Sequence, residues 1–388
     1  MTPKKRITII MFNMSAYSAW QAGVQNRNFH ILNQLLVDER VEQVVAVDYL
    51  PHTYKRAVRV WLDDILKPPP GQILFKSLFS RLVRVSDKLT VYSSVAAKFS
   101  LKKFYRNLNK IIKELGFDDY LVWSYYPLEI GYFKELKARL KIFDAVDNWV
   151  EHPSYKKFRA RLLANYQAID READLIFTVA EEQQALFARQ EKVHWIPNGV
   201  DLKHYQPEHN IINRDIGDLP RPIIGYVGTI QDRVDLDLLE YLVKSNPEKS
   251  FALVGPVWYA SIQERFAGYR NVYFLGRKSY QEVPMYIQQF DVGIIPHQLD
   301  KFVKSTNPMK IYEYLACGKP VVSTGGAGIN LFKDVVYIAD EYKKFNQFVN
   351  QALTEDDKYL AHERVAAVKE HSWLKRTERM LSLIYKKL

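Results

Sequence analysis

Ser305-Thr306-Asn307-Pro308-Met309-Lys310-Ile311-Tyr312-Glu313-Tyr314-Leu315-Ala316-Cys317-Gly318-Lys319-Pro320 reads as one short helix with its punctuation. Asn307 or Thr306 suits the N-cap, Pro308 the first helical position, Gly318 the stop and Pro320 the opening of a strand. Ile311, Tyr314 and Leu315 fall on one side, and Lys310 and Glu313, three residues apart, share the other. The first backbone N–H groups of a helix have no partner inside it and favour an anion. A lysine in the first turn opposes the helix dipole, and a bound anion would compensate it. Two readings are open. One is an ordinary capped helix with a surface Lys–Glu pair. The other puts the 305–310 segment (Ser305, Thr306, Asn307, Met309 and Lys310) on a diphosphate and Glu313 on ribose hydroxyls.

Outward from this helix the chain alternates strands and helices. Ile223–Val227, Phe251–Val254, Val272–Phe274, Val292–Ile295 and Pro320–Ser323 read as strands, with helical patterns at Leu236–Lys244 and Gln281–Gln289. An earlier series starts with the apolar run Ile7–Met11, the helix Asn26–Val37 and the strand Val44–Val47, and resumes at Tyr120–Trp123, Lys141–Val146 and Leu175–Val179. The polar stretch Lys203–Pro222, with prolines at 207, 220 and 222, separates the two. The expectation is two doubly wound α/β domains, 1–202 and 203–371. Ligands should lie in a cleft between them, at the C-terminal ends of strands. Lys358–Leu388 is helical by pattern.

Composition narrows the class. At 388 residues, 47% hydrophobic and 26% charged, the chain suits a two-domain globular protein. No apolar run approaches the ~20 residues of a membrane-spanning helix. Lys4, Lys5 and Arg6 before Ile7–Met14 imitate a signal peptide, but the run is short and Asn13 interrupts it, so it reads as a buried first strand. The single cysteine, Cys317, excludes a disulfide framework and is read as core. No His/Cys cluster has metal-ligand spacing, so no metal site is expected. Residues 51–115 hold 14 Lys/Arg against 4 Asp/Glu, which is +10 of the total +11. The segment mixes these charges with Trp61, Phe75, Leu78, Phe79 and Phe99, and Pro68-Pro69-Pro70-Gly71 interrupts it. It reads either as a solvated basic helical insertion or as a surface that rests on an anionic membrane without crossing it.

Several further stretches occur in order at fitting spacings: Ile196-Pro197-Asn198-Gly199-Val200-Asp201, Gly225-Tyr226-Val227-Gly228-Thr229, Leu275-Gly276-Arg277, Phe290-Asp291-Val292-Gly293-Ile294-Ile295-Pro296 and Gly318-Lys319-Pro320-Val321-Val322-Ser323. With the helix they resemble glycosyltransferase family 4 and its GT-B relatives, specifically across roughly 170–330. The resemblance implies two Rossmann-like domains and a nucleotide-diphosphate sugar in the C-terminal one. It also implies an acceptor in the N-terminal one, and a last helix, 372–388, that crosses back. Read from the residues themselves, Gly228 and Thr229 end a strand and suit close backbone approach to a phosphate or simply a tight βα turn, and Gly276-Arg277 follows a strand where the base or ribose would lie. There are departures. The family's first glutamate, eight residues before Glu313, is Ser305 here. The usual Arg and Lys after the first glycine are missing, leaving Thr229 and the nearby Arg233, with Lys310 as the main diphosphate cation. Met309-Lys310 is similar to the xanthan-type glucuronosyltransferases, which are inverting enzymes at the membrane surface.

An inverting transfer needs a base for the acceptor hydroxyl. Asp147 of Phe143-Asp144-Ala145-Val146-Asp147-Asn148-Trp149 is the first choice, matching the aspartate that related enzymes show after this strand, and Asp144 is the second. The competing reading is a loop whose aspartates cap the next helix. Gly325, Gly326 and Gly328 are candidates to line the sugar pocket. Asp235-Leu236-Asp237 is read as helix N-terminal charge rather than a metal-binding pair. The expected function is transfer of a hexose-type sugar, without a cofactor, from a UDP-sugar (GDP-mannose stays open) to a glycan or lipid-linked acceptor in polysaccharide biosynthesis. The expected place is the cytoplasmic face of a membrane. The alternatives are an epimerase on the same fold and a nucleic-acid-binding protein. The latter has only the basic charge in its favour, and no nucleic-acid partner is expected.

Overall fold

The computed structural model describes residues 5–388 except 49, 52, 207–212 and 356. Lys4 and Pro207, both used above, lie outside the described residues. The chain forms two compact units, one of residues 1–196 with 377–388 and the other of residues 197–376. Residues 197–202 therefore belong to the second unit, not to the first where the sequence put them. The reason is local: Val200 N–H donates to His371 O, Trp373 N–H donates to Val200 O, and Asn198 is bonded to Asn307.

The first unit is built on nine strands: β1 (Ile7–Phe12), β2 (Val41–Val47), β3 (Gln72–Lys76), β4 (Ser80–Arg84), β5 (Leu89–Ser94), β6 (Tyr120–Ser124), β7 (Leu140–Ala145), β8 (Leu175–Thr178) and β9 (Val193–Trp195). Their order is β3-β4-β5-β2-β1-β6-β7-β8-β9. β1 is buried along its whole length, as its unbroken apolar run requires of a strand covered on both faces. The Arg27–Val37 helix starts where Asn26 accepts a hydrogen bond from Phe29 N–H, a side-chain N-cap. From β5 to β9 the ladder is parallel, whereas β3-β4 and β4-β5 are antiparallel.

The antiparallel edge corrects the reading of residues 51–115 as a helical insertion. The segment makes a helix, Tyr54–Leu66, then three strands that extend the sheet, then the Leu101–Glu114 helix. The strands were missed because basic residues break their apolar alternation, as in Ser80-Arg81-Leu82-Val83-Arg84. The Lys358–Leu388 pattern is two helices, Asp357–Val368 and Trp373–Lys387, broken at His371-Ser372. The second of them begins in one unit and ends in the other.

The second unit carries six strands: β10 (Ile223–Val227), β11 (Ser250–Val254), β12 (Val272–Gly276), β13 (Val292–Ile295), β14 (Val321–Ser323) and β15 (Tyr337–Ile338). Their order is β12-β11-β10-β13-β14-β15, parallel throughout. The order reverses between β10 and β13, which makes the carboxyl ends of these two strands the switch point where such sheets bind ligands. Gly225 in β10 is needed for packing, since a Cβ there would lie 2.1 Å from the Phe290 ring.

Candidate active site

β10, one of the two switch-point strands, and its neighbour β11 each end in a tight glycine loop. After β10 the chain turns through Gly228 at φ 134°, and Gly255 after β11 lies against it: a Cβ on Gly255 would meet Gly228 O at 2.1 Å. Both positions therefore demand glycine. Across from them starts the Met309–Ala316 helix, with Ile311, Tyr312, Tyr314 and Leu315 buried. The Tyr314 hydroxyl accepts from Val227 N–H at 2.7 Å, pinning the helix to the end of β10.

The capping expected at this helix is not what the structure shows. Pro308 itself is the N-cap, and no side chain caps the first turn. The expected caps are engaged elsewhere. Thr306 Oγ1 donates to Val303 O and Ser305 Oγ to Phe302 O, each at 2.8 Å. Asn307 Oδ1 accepts from Asn198 N–H at 3.1 Å, and Asn198 Nδ2 donates to Asn307 O at 2.6 Å. Asn307 thus locks the 197–200 loop to the helix, and the helix start keeps its N–H groups without a side-chain acceptor.

Lys310 turns back over the end of β10. Its Nζ lies 5.0 Å from the centre of the Tyr226 ring and 3.4 Å from His297 Nε2. A Cβ on Gly228 would sit 3.5 Å from the same Nζ. The Tyr226 hydroxyl is 3.5 Å from His297 Nε2 and 3.4 Å from Thr229 O. Arg233 approaches from the loop after Thr229. Its guanidinium stacks 5.2 Å from the Phe302 ring, and its Nε is buried without a hydrogen-bond partner. Burial, and then the Arg233 charge, pull the Lys310 ammonium down to about 7. Burial first, then Lys310 and Arg233, hold the His297 imidazole well below its ordinary range and hence neutral. Two cations and a neutral histidine converge here.

Glu313, one turn along, is the carboxylate that partly offsets Lys310. Burial raises its carboxyl above the usual range, against the opposing pull of Lys310 and a hydrogen bond from Tyr205. Gly325 and Gly326 line a cavity of about 10 Å³ with His297, Thr306 and Pro308. Gly328 does not line it and instead packs on Asn307, where a Cβ would meet Nδ2 at 2.5 Å. Gly276 ends β12, two strands from β10, and Arg277 follows it. Gly276 O accepts from Gly255 N–H at 2.9 Å and Arg277 is exposed. So the structure gathers Gly228, Thr229, Arg233, Lys310 and Glu313, whereas Ser305, Thr306 and Asn307 support the helix start from buried positions. Tyr226, His297 and Tyr205 were missed. Tyr226 lies inside a quoted motif and His297 one residue past another, but nothing in the linear pattern puts them beside Lys310.

Asp144 and Asp147 belong to the first unit. Asp144 is fully buried in β7, and Arg27, itself 3% exposed, donates from Nε to both carboxylate oxygens at 3.1 Å. A carboxylate so enclosed cannot reach an acceptor hydroxyl, which removes it as the second-choice base. Asp147 sits half-buried two residues past the strand, its carbonyl accepting from Trp149 N–H and the Tyr166 hydroxyl. The following short helix is capped by His152, whose Nδ1 accepts from Ser154 N–H, not by either aspartate. Among the described residues, no group of three or more His, Cys, Asp or Glu could hold a metal ion.

This fold and site define a GT-B protein with two Rossmann-like units, whose second unit carries a domain matched over residues 221–354 by the family described as Glycosyl transferases group 1. The same chain is 29% identical over 198 residues to TuaH of Bacillus subtilis (strain 168), provisionally named a teichuronic acid biosynthesis glycosyltransferase. That match takes in 47% of this chain and spans half the length of the relative. Among solved structures, sucrose-phosphate synthase from Thermosynechococcus elongatus superposes with a TM-score of 0.73 at 16% identity, covering 98% of this chain and 99% of its own. Anabaena HepE in complex with UDP and glucose gives 0.67 at 15%, covering 98% and 100%. The trehalose-6-phosphate protein from E. coli bound with UDP-2-fluoro glucose gives 0.66 at 12%, covering 97% and 98%. At these identities the structures speak to the fold.

Proposed function

We propose that this chain is a glycosyltransferase that takes a hexose-type sugar from a UDP-sugar and passes it to a glycan or lipid-linked acceptor. The observation that carries the reading is the cation pair at the switch point. Lys310 and Arg233 converge beside Gly228 and an uncapped helix start, with a lysine depressed to about 7 and one buried guanidinium nitrogen unpaired. Uncompensated positive charge in a buried place is unfavourable, and an anion that binds it is correspondingly stabilised. A nucleoside diphosphate supplies that anion. During transfer, negative charge grows on the leaving diphosphate, where fixed cations and helix N–H groups are most effective. Glu313 is read as the acceptor for ribose hydroxyls, in exchange with Tyr205. Asp147 is read as the base for the acceptor hydroxyl.

UDP as the nucleotide is supported by the ligands named for HepE and the E. coli protein. A saccharide or lipid-linked acceptor and a place in polysaccharide assembly are supported by the name of the B. subtilis relative. The membrane-surface reading of residues 51–115 is supported by eleven exposed large apolar side chains between Tyr54 and Leu101. Among the described residues no helix is long and apolar enough to cross a membrane. Titrating UDP into the wild type and Lys310→Ala tests the donor site. A charge-assisted contact is worth about 1.5–3 kcal/mol, so the variant should bind at least about tenfold more weakly. Equal affinity defeats the assignment.

A further inference from the structure

The exposed apolar residues of the basic segment are not scattered. On the Tyr54–Leu66 helix they recur at Tyr54, Val58, Leu62 and Leu66, one face by spacing, and only Ala57 of this helix is fully buried. The face continues onto the β3–β4 turn, where Leu78 is 69% exposed, and through Phe79 to Phe99, whose rings lie 5.5 Å apart. Tyr54 joins them at 6.2 Å from Phe99, with Lys98 Nζ 4.4 Å from its ring centre. Exposed Lys55, Arg56, Arg59 and Lys76 are interleaved with this surface. An apolar face of this size, ringed by cations, fits the interface of an anionic bilayer better than it fits water.

Beneath the rim lies a cavity of about 250 Å³ between the Tyr54–Leu66 helix, the β3–β4 turn and the end of β5. Its mouth is apolar, with Trp61, Ile65, Leu78 and Phe79, and its other walls are polar, with Asp64, Arg81, Ser80, Ser93 and Ser94. Trp61 Nε1 donates to Leu78 O at 2.8 Å and Arg81 Nη1 to Asp64 O at 2.6 Å, fixing helix to hairpin. Yet the polar side is incompletely satisfied. Arg81 is 6% exposed and forms an ion pair with Asp64 at 3.6 Å, but its Nε and Asp64 Oδ1 are buried without hydrogen bonds. Buried polar groups are rarely left so, because each costs about 1–3 kcal/mol. Arg81 thus forms a wall of the cavity rather than part of its charged outer surface.

We propose that this cavity binds the phosphate-bearing head of a single membrane lipid, with the apolar rim around its mouth entering the acyl layer. The proposal rests on the membrane-surface reading of the same segment. Arg81 Nε and Lys76 supply donors to phosphate oxygens, while Ser93 donates to Asp48 and Ser80 and Ser94 bond each other, leaving the serine oxygens to accept from a hydroxylated head. Burial raises the Asp64 carboxyl against the opposing pull of Arg81, so its charge holds Arg81 only loosely and leaves the guanidinium open to a phosphate. The volume suits a head group, leaving the chains to the rim.

The test separates cavity from surface. Monomeric dihexanoyl phosphatidylglycerol, kept below its micelle concentration, is titrated into the full chain while tryptophan emission is followed, with Trp61→Phe identifying the reporter. Binding should saturate and should be at least tenfold tighter than for dihexanoyl phosphatidylcholine or free glycerol phosphate. Arg81→Gln should abolish it. Because that variant can fail to fold, the exposed pair Lys76→Gln with Ser77→Phe is made alongside and should weaken binding tenfold or more. Val58→Ser with Leu66→Ser, on the exposed face away from the cavity, should lose vesicle flotation yet keep the monomeric lipid. Flotation without saturable lipid binding overturns the cavity and leaves the surface reading standing. Saturable binding without flotation defeats the surface reading on which the proposal rests. Equal affinity for glycerol phosphate replaces the lipid with a soluble ligand. A dimer broken by the Val58/Leu66 change makes a second copy the occupant.

Discussion

At pH 8, adding UDP to the protein should draw close to one proton out of the buffer. Lys310 is depressed to about 7 by burial and by Arg233, so at pH 8 about nine-tenths of the molecules hold it neutral. A diphosphate beside Nζ favours the charged form. If it returns the amine to its ordinary value near 10.4, binding takes up about 0.9 proton. The sign follows from the direction of the shift. The free site has the lower value, so affinity is full below pH 7 and falls as pH rises, until the bound value is passed. Recharging the amine at pH 8 costs about 1.4 kcal/mol, a tenfold weakening relative to a side chain that never loses its charge, and between pH 7.5 and 9 affinity should drop about twentyfold. Calorimetry at pH 8 in Tris and in HEPES, which differ in ionisation enthalpy, reads the uptake directly. Lys310→Arg should show none and a flat pH profile, since guanidinium does not titrate here. His297→Gln should retain the uptake, because His297 begins well below its ordinary range. An uptake below about 0.3 in the wild type, or the same uptake in Lys310→Arg, would refute the placement of the diphosphate on Lys310.

Glu313→Gln should leave the unit folded and weaken UDP binding; the loss on removing the ribose 2′- or 3′-hydroxyl should shrink in the variant, and identical losses would remove Glu313 from the ribose. Asp147→Asn should keep the wild-type melting curve and donor affinity while turnover falls about 10²–10⁴-fold. Asp144→Asn should instead lose about 3–5 kcal/mol of stability in urea, because it removes the carboxylate that accepts both Nε hydrogen bonds of buried Arg27. Normal turnover in Asp147→Asn would favour a retaining path that uses the donor phosphate. The protein should float with anionic but not neutral vesicles. Changing exposed Lys55, Arg56 and Arg59 to Gln should cost about 1 kcal/mol each, roughly 150-fold together. Equal flotation with both vesicle types would contradict the electrostatic part of the surface reading.

Most of the second unit was legible because its strands are short, apolar and bounded by glycine and proline. β10 and β13 are Ile-Ile-Gly-Tyr-Val and Val-Gly-Ile-Ile, bare runs that only a two-faced buried sheet accommodates. The site helix was legible for the same reason, since its apolar spacing and the Gly318 stop are local signals. Its cap was not. Asn307 is a good cap by propensity, but Asn198, 109 residues earlier, claims its side chain, and such a long-range bond leaves no mark on a local pattern. The same holds for Asp144, whose partner Arg27 lies 117 residues away, and for β4, where Arg81 occupies a buried strand position because Asp64 faces it.

The departures at the site share a physical thread. A helix start without a side-chain cap, a lysine held largely short of its full charge and an arginine with a buried unpaired nitrogen each weaken the unliganded unit. Each deficit would be met by the same doubly charged group at the same point. Capping by Asn307 would satisfy the N–H groups that a phosphate needs, and a carboxylate close to Lys310 would restore its charge but repel the ligand. Glu313 sits one turn further on, with its own carboxyl raised by burial and held by Tyr205, so it offsets the lysine only in part. The consequence is a linkage: ligand binding should stabilise this unit by RT ln(1 + [L]/Kd), about 2.7 kcal/mol at a hundredfold excess over Kd. Lys310→Met, which removes the depressed amine, should make the unliganded protein more stable at pH 7 while nearly erasing the shift that UDP produces. A variant less stable than the wild type without ligand would mean that the amine is already well compensated, and the case for an anion site would fall with it.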